Sequence, residues 1–359
     1  MDFSVTPAQE DLSALSRRIL TDRVTPDRLA KLEREGLGFD EAVWSDLAAA
    51  GILSAALPER IGGDGFGLSE QCSILIELGR TVAPAPYLET IVLGAGALSD
   101  HPAGYAAAAA RGELIIAPAL AEPVGYDLTR PGTRAVRADG GWRLSGTKTA
   151  VPYGAVAGLF LVSATTPDGV RVFAVEREDS GVEVDPQQLV TGAGAARLRL
   201  TDVPLSEDRL VGTELRWILD RATAGLCALQ LGVTERALEQ TAEYARTRQA
   251  FGRAIGAFQA VAQRLADAYI DVEAIRLTLW QAAWRLETGL PAGAELATAK
   301  FWAAEGGHRV AHAAVHVHGG VGVDVSHPVH RYFAAAKRNE YALGGATAHL
   351  RELGSVLAG

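Results

Sequence analysis

The sequence predicts an α+β protein in three parts: a helical first third, a middle antiparallel sheet forming a small barrel or sandwich, and a C-terminal helical bundle. Three observations carry this. Apolar residues recur at helical spacing early on, as in Leu12, Leu15, Ile19 and Leu20. The period shortens to two in the middle, where Trp142 and Leu144 alternate with Arg143 and Ser145, and Leu198 and Leu200 with Arg197 and Arg199. Helical spacing then returns: Val261, Leu265, Ala268, Val272, Ile275 and Leu279 advance in steps of 4, 3, 4, 3 and 4.

The boundaries expected from these changes are 1–112 for the helical domain, 113–211 for the sheet domain and 212–359 for the bundle. In the first part, Thr6 or Pro7 opens a helix. Trp44, Leu47, Ala48 and Ile52 form a second apolar face, interrupted at Gly51 and followed by the loop Leu57 to Gly65. Leu68 to Leu78 resumes the helix, Pro84 and Pro86 stop it, and the run Ala106 to Ala110 reads as a further helix. Asp139-Gly140-Gly141 and Asp168-Gly169 punctuate the strands of the middle part. In the last part Gly289 and Pro291 end one helix, another passes through Lys300 and Trp302 towards His316, and His318-Gly319-Gly320-Val321-Gly322 breaks it. A final helical section follows Pro328.

Composition bounds the function. A chain of 359 residues with 48% hydrophobic and 21% charged residues has a large core. Its formal charge of −9 argues against a nucleic-acid surface, which needs clustered Lys and Arg. Cys72 and Cys227 sit in apolar helical contexts and read as buried thiols. The N-terminus lacks the pattern of an export signal and no apolar run approaches a membrane span, so the expectation is a cytoplasmic protein without membrane contact. His312 and His316, with His318 nearby, have metal-compatible spacing. No cysteine and only Asp324 joins them, so no metal is expected.

One stretch concentrates chemistry: Arg248-Gln249-Ala250-Phe251-Gly252-Arg253-Ala254-Ile255-Gly256-Ala257-Phe258-Gln259. It packs guanidinium, aromatic, glycine and amide groups into a turn between two helical patterns, a composition suited to a phosphate-bearing ligand. Other segments stand beside it: Leu57-Pro58-Glu59 with Gly62-Gly63, Ala121-Glu122-Pro123, Leu144-Ser145-Gly146-Thr147-Lys148 and His318-Gly319-Gly320-Val321-Gly322.

Taken in this order, these segments resemble the acyl-CoA dehydrogenase family over essentially the whole chain. The resemblance implies that family's fold, with a C-terminal four-helix bundle, and its chemistry. A carboxylate removes the α-proton of an acyl-CoA while the β-hydride passes to FAD, which calls for a base of raised pKa in a dry pocket. The family's glutamate position falls on Leu343, and its alternative position, directly after the arginine of the turn, falls on Gln249. Neither can act as a base, and Glu340 is the nearest carboxylate to Leu343. On the sheet, the family's flavin contacts fall on Ala121, Ala150-Val151-Pro152 and Gly125-Tyr126-Asp127, all altered. The contacts that such chains make to a neighbouring subunit's FAD fall on Arg248, Phe251, Gln259, His316, Gly319 and Gly320, with His316 in place of a glutamine.

The resemblance therefore implies a non-catalytic subunit that completes the FAD site of a catalytic acyl-CoA dehydrogenase partner. It is similar to the β-type chains of actinobacterial heterotetramers (two catalytic and two non-catalytic chains) that act on CoA thioesters of sterol side chains. Two alternatives compete: a self-sufficient homo-oligomeric flavoenzyme using Glu340, and a flavin-free scaffold of the same fold.

Overall fold

The computed structural model describes residues 3–36, 38–125, 127–138, 140–189 and 194–358. Asp139 of the expected strand turn and Tyr126 of the Gly125–Asp127 segment lie outside the described residues.

In chain order the first helices are α1 (Pro7–Arg23), α2 (Pro26–Glu35), α3 (Glu41–Ala49), α4 (Ile52–Ala55), α5 (Leu68–Thr81) and α6 (Tyr105–Ala110), with a π-helix at Tyr87–Ala95 between the last two. Strands follow: β1 (Ile116–Ala119), β2 (Arg134–Ala138), β3 (Gly141–Pro152), β4 (Leu159–Thr166), β5 (Gly169–Glu176), β6 (Val182–Gln188), β7 (Gly194–Leu205) and β8 (Leu210–Val211). Helix α7 (Leu215–Thr247) leads to the short strands β9 (Gln249–Ala250) and β10 (Arg253–Ala254). Helices α8 (Gln259–Glu287), α9 (Gly293–His318), α10 (Val329–Tyr341) and α11 (Ala346–Ala358) complete the chain.

The chain forms two compact units, one drawn from Met1–Pro26, Leu68–Ala83 and Thr223–Gly359, the other from Asp27–Gly67 and Pro84–Ala222. In the second unit the strand order is β6-β7-β3-β2-β4-β5-β8, with β1 paired to β4. Most neighbours run antiparallel, as expected, but β1 lies parallel to β4 from Ile116↔Leu159 to Ala119↔Val162, and β2 touches β4 in parallel at Arg134↔Thr165. Alternation alone does not reveal strand direction, so these parallel contacts had no sequence signal. The inward residues Trp142, Leu144, Phe160, Val162, Phe173 and Leu198 make one core, in which Trp142 meets Phe173 edge-on at 5.4 Å.

The first unit begins with a capping box: Thr6 Oγ1 accepts from Gln9 N–H at 3.2 Å, and Gln9 Oε1 accepts from Thr6 N–H at 2.8 Å. Helix α1 is tied to α5 by Arg17, whose guanidinium donates to both carboxylate oxygens of Glu77. Val233, Ala237, Ala311, Ala314, Val329, Tyr332 and Ala336 join α7, α9 and α10 in a shared core. Small residues there let the helix backbones approach closely.

Candidate functional site

The Arg248–Gln259 stretch folds as a hairpin between α7 and α8. Ala250 pairs with Arg253, leaving Phe251 and Gly252 as a two-residue loop. Both have positive φ, 51° and 78°, as a type I′ turn demands. Glycine takes that conformation freely, whereas phenylalanine pays steric strain for it. The strained ring is also 95% exposed, so no burial of its own repays the strain. Phe258 stands edge-on to it at 6.1 Å, and the Arg253 guanidinium lies 4.1 Å above the Phe258 ring. At the hairpin root Arg248 N–H donates to the Tyr244 carbonyl (2.8 Å) and Ile255 N–H donates to the Arg248 carbonyl (2.9 Å). The Arg248 side chain is exposed and has no ion-pair partner among the described residues, and Gln259, the first residue of α8, is exposed too.

The second segment begins where α9 ends. Gly319 adopts φ 63° and ψ −140°, a conformation that demands glycine. A Cβ at Gly319 or Gly320 would meet nothing within 4 Å, so both peptide planes lie open to an approaching ligand. His316 is exposed on the last turns of α9. The roots of the two segments touch: the Tyr244 ring stacks on His318 with centroids 4.4 Å apart and planes 23° from parallel. A guanidinium with no ion-pair partner among the described residues, an exposed side-chain amide and bare glycine backbone are donors of the kinds a diphosphate takes. The residues present therefore fit the adenosine-diphosphate end of FAD.

The base candidates lie elsewhere in the same unit. Glu340 and Val329 stand at opposite ends of α10, roughly 17 Å apart by helical rise. Leu343 follows α10 with φ 58° and has only a branched alkyl side chain to offer. Its carbonyl accepts from His349 Nε2 at 3.0 Å, while the Lys300 ammonium donates to the carbonyls of Asn339 (2.9 Å), Glu340 (3.1 Å) and Gly344 (3.1 Å). Glu340 is buried at 8% exposure, 2.8 Å from Lys337 Nζ, and His308 Nδ1 lies 3.2 Å from its Oε2. Burial alone would raise its pKa, but Lys337 and His308 outweigh burial and hold the carboxyl below its ordinary value. That is the reverse of what a proton-abstracting base needs. Gln249 is an exposed amide on β9. Among the described residues no cluster of His, Cys, Asp and Glu could hold a metal ion; His312 instead stacks against His308, centroids 4.3 Å apart.

On the sheet unit, Ala150 sits in an irregular stretch of β3 between Lys148 and Val151, with φ 49°. Its N–H is already engaged, donating to Gln187 Oε1 at 2.8 Å, and Gln187 Nε2 donates to Thr149 Oγ1 at 3.2 Å. Pro152 has no N–H to offer. The edge that the resemblance assigns to the isoalloxazine ring thus has no free donor at Ala150 or Pro152, and the fit fails there. Nearby, Glu122 accepts from Lys148 Nζ (2.8 Å), Thr133 Oγ1 (2.7 Å), Thr133 N–H (2.9 Å) and Gly132 N–H (2.6 Å). Burial opposes these donors, but together they draw its carboxyl down to about 2. This hub ties the 122–133 loop to β3.

Three residues in these arrangements had no role assigned from the sequence: Tyr244, Gln187 and Lys300. Tyr244 stands four residues before Arg248, one helical turn away. Lys300 carried a signal too, as a lone cation among Ala297, Ala299, Ala303 and Ala304, where a charge survives only if partnered. Gln187 gave none, because its partner lies across the sheet.

With fold and site in hand, the chain falls among the flavin-dependent oxidoreductases that act on acyl thioesters, and it belongs to the acyl-CoA dehydrogenase family. The family's N-terminal, middle and C-terminal domains match residues 6–101, 117–203 and 215–356. Acyl-CoA dehydrogenase FadE27 of Mycobacterium tuberculosis is 48% identical over 374 residues, covering 100% of this chain and 99% of that protein. The crystal structure of the ChsE4-ChsE5 complex from Mycobacterium tuberculosis superposes with a TM-score of 0.94 at 47% identity, covering 100% of this chain and 99% of the matched one. A variant of the Tcur3481-Tcur3483 steroid ACAD matches with a TM-score of 0.93 at 42% identity, covering 98% and 97%. Among the described residues no helix is long and apolar enough to cross a membrane.

Proposed function

We propose that this chain is the non-catalytic subunit of a heteromeric acyl-CoA dehydrogenase, clamping the adenosine-diphosphate end of an FAD whose ring contacts and catalytic base come from a partner chain. The observation that carries this is the exposed, unpaired Arg248 on a strained hairpin, tied to a bare glycine loop, in a chain with Leu343 at the base position. When bound, FAD would supply the acceptor for the β-hydride of the acyl-CoA. The residues of this chain would hold the nucleotide: Arg248 and the Gly319–Gly320 backbone its phosphates, Phe251 with an aromatic face, and Gln259 and His316 with hydrogen bonds. The domains would be 1–112, 113–211 and 212–359, and the setting cytoplasmic.

Similarity to the ChsE4-ChsE5 complex and to a steroid ACAD supports a heterotetramer and, as substrate class, the CoA thioester of a bulky steroid-derived acid. The ion pairing of Glu340 speaks against a self-sufficient enzyme with that residue as base. The test is expression alone and with a catalytic dehydrogenase chain from a neighbouring gene. The pair should oxidise acyl-CoA, and Glu340→Gln should leave its kcat within about twofold, since the residue abstracts no proton. A flavin-loaded homo-oligomer that oxidises acyl-CoA unaided would overturn the proposal.

A further inference from the structure

We propose that Tyr244 and His318 are a positioning pair that ties the Arg248 hairpin to the Gly319–Gly320 loop and holds both halves of the nucleotide clamp at one spacing; this rests on the cofactor reading above. Each ring is joined to one half by the backbone. Tyr244 lies in the last turn of α7, and its carbonyl receives the Arg248 N–H at 2.8 Å. His318 is the last residue of α9, directly before Gly319 with its φ of 63°. The rings meet at 4.4 Å, 23° from parallel, which is within stacking geometry.

The His318 ring is itself held in place. Its Nδ1 lies 2.8 Å from the Ala314 carbonyl, which can only accept, so Nδ1 carries the proton and the ring plane is fixed. The residue is 4% exposed. Burial lowers its pKa, the Ala314 bond opposes this, and His327, 5.0 Å away, adds to the lowering, which favours the neutral ring. The far side of the loop is anchored as well, since a Cβ at Gly322 would stand 2.7 Å from the Val315 carbonyl. The glycine loop is thus built rigidly on α9, and the stack passes that rigidity to the hairpin. Helices α7 and α9 also pack through Val233, Ala237, Ala311 and Ala314. Removing the stack therefore loosens the helix ends while the bundle stays folded.

The experiment compares Tyr244→Leu, which loses the stack, with Tyr244→Phe, which keeps it. Arg248→Ala serves as the ligand control. FAD release is followed by fluorescence in the complex with the catalytic chain, and amide hydrogen exchange of Gly319–Val323 is measured in the full-length chain alone. Tyr244→Leu should release FAD about three- to tenfold faster and raise exchange across Gly319–Val323, with cooperative unfolding preserved. Tyr244→Phe should match wild type in both. Unchanged exchange in Tyr244→Leu, or a Tyr244→Phe variant as impaired as Tyr244→Leu, overturns the pair. If Arg248→Ala speeds FAD release and Tyr244→Leu does not, the pair alone is wrong. If Arg248→Ala also leaves release unchanged, the cofactor reading fails and the pair with it. Should Tyr244→Leu not fold, His318→Phe and His318→Ala give the same comparison, with stacking kept in the first and lost in the second.

Discussion

Lys300 has 0% exposure and directs its ammonium at the carbonyls of Asn339, Glu340 and Gly344. Burial depresses its pKa to about 8, with Cys227 and Glu340 opposing. The sign follows from proton counts. Between about 8 and the unfolded value near ~10.4, the unfolded chain holds the proton that the folded chain has shed, so stability rises with pH. Relative to Lys300→Met, wild type should gain about 2 kcal/mol between roughly pH 7 and pH 9.5, read from urea midpoints. A parallel response of the two proteins would contradict the assignment. Phe251 differs: its positive φ costs stability, and its ring is exposed where the proposed clamp would meet the cofactor. Phe251→Asn should stabilise the free chain by about 0.5–1 kcal/mol, measured in urea, and should weaken FAD retention in the complex. The sequence marked Phe251 by the resemblance and Lys300 as a lone cation among alanines, but it showed neither the partners of Lys300 nor the backbone conformation of Phe251. The three carbonyls that Lys300 meets come from the end of α10 and from Gly344 in the turn after it, and the conformation of Phe251 follows from a register that only the folded hairpin sets.

At the scale of elements, the long periodic helices and the alternating strands could be read directly, because one face of each is buried and the period records it. The π-helix at Tyr87–Ala95 could not. It is buried throughout, so it carries no amphipathic pattern, and Pro84 and Pro86 suggested only an end. The β9–β10 hairpin was likewise too short to register. Helix proximity was also hidden. Gly79 on α5 and Gly232 on α7 let two backbones meet: a Cβ at Gly79 would collide with the Leu229 carbonyl, and one at Gly232 with the Ile76 carbonyl. Glycine inside a helix normally reads as a weakness, and here it is what the crossing requires. Gly79→Ala should therefore destabilise the protein by about 2 kcal/mol or more, despite the better helix propensity of alanine. A denaturant midpoint unchanged from wild type would show that the helices can separate at little cost.

At the scale of the whole molecule, the three-part order was legible because the hydrophobic period changes at its boundaries. The proposed division of labour was implied by the resemblance at Leu343, Gln249 and the Arg248 turn, whereas which N–H groups the fold leaves free was not legible. Gln187 engages the Ala150 N–H on the sheet, Leu343, the position that the resemblance assigns to the base, carries no carboxylate, and a Cβ at Gly252, Gly319 or Gly320 would meet nothing within 4 Å. On the proposed reading, such a chain would complete a partner's nucleotide site without building the whole of its own. If each complete site draws its ring contacts from one chain and its diphosphate clamp from the other, as proposed, the assembly should hold about one FAD per pair of unlike chains, or about 0.5 per polypeptide. Protein expressed alone should be nearly colourless. Arg248→Ala in the co-expressed complex should lower the bound flavin without preventing assembly, since an exposed guanidinium contributes little to packing. Visible flavin absorbance against polypeptide concentration, on fractions from size-exclusion chromatography, reads all three quantities. A ratio near one FAD per chain would mean that this sheet holds a ring despite the occupied Ala150 donor, and the separation of base from clamp would have to be abandoned.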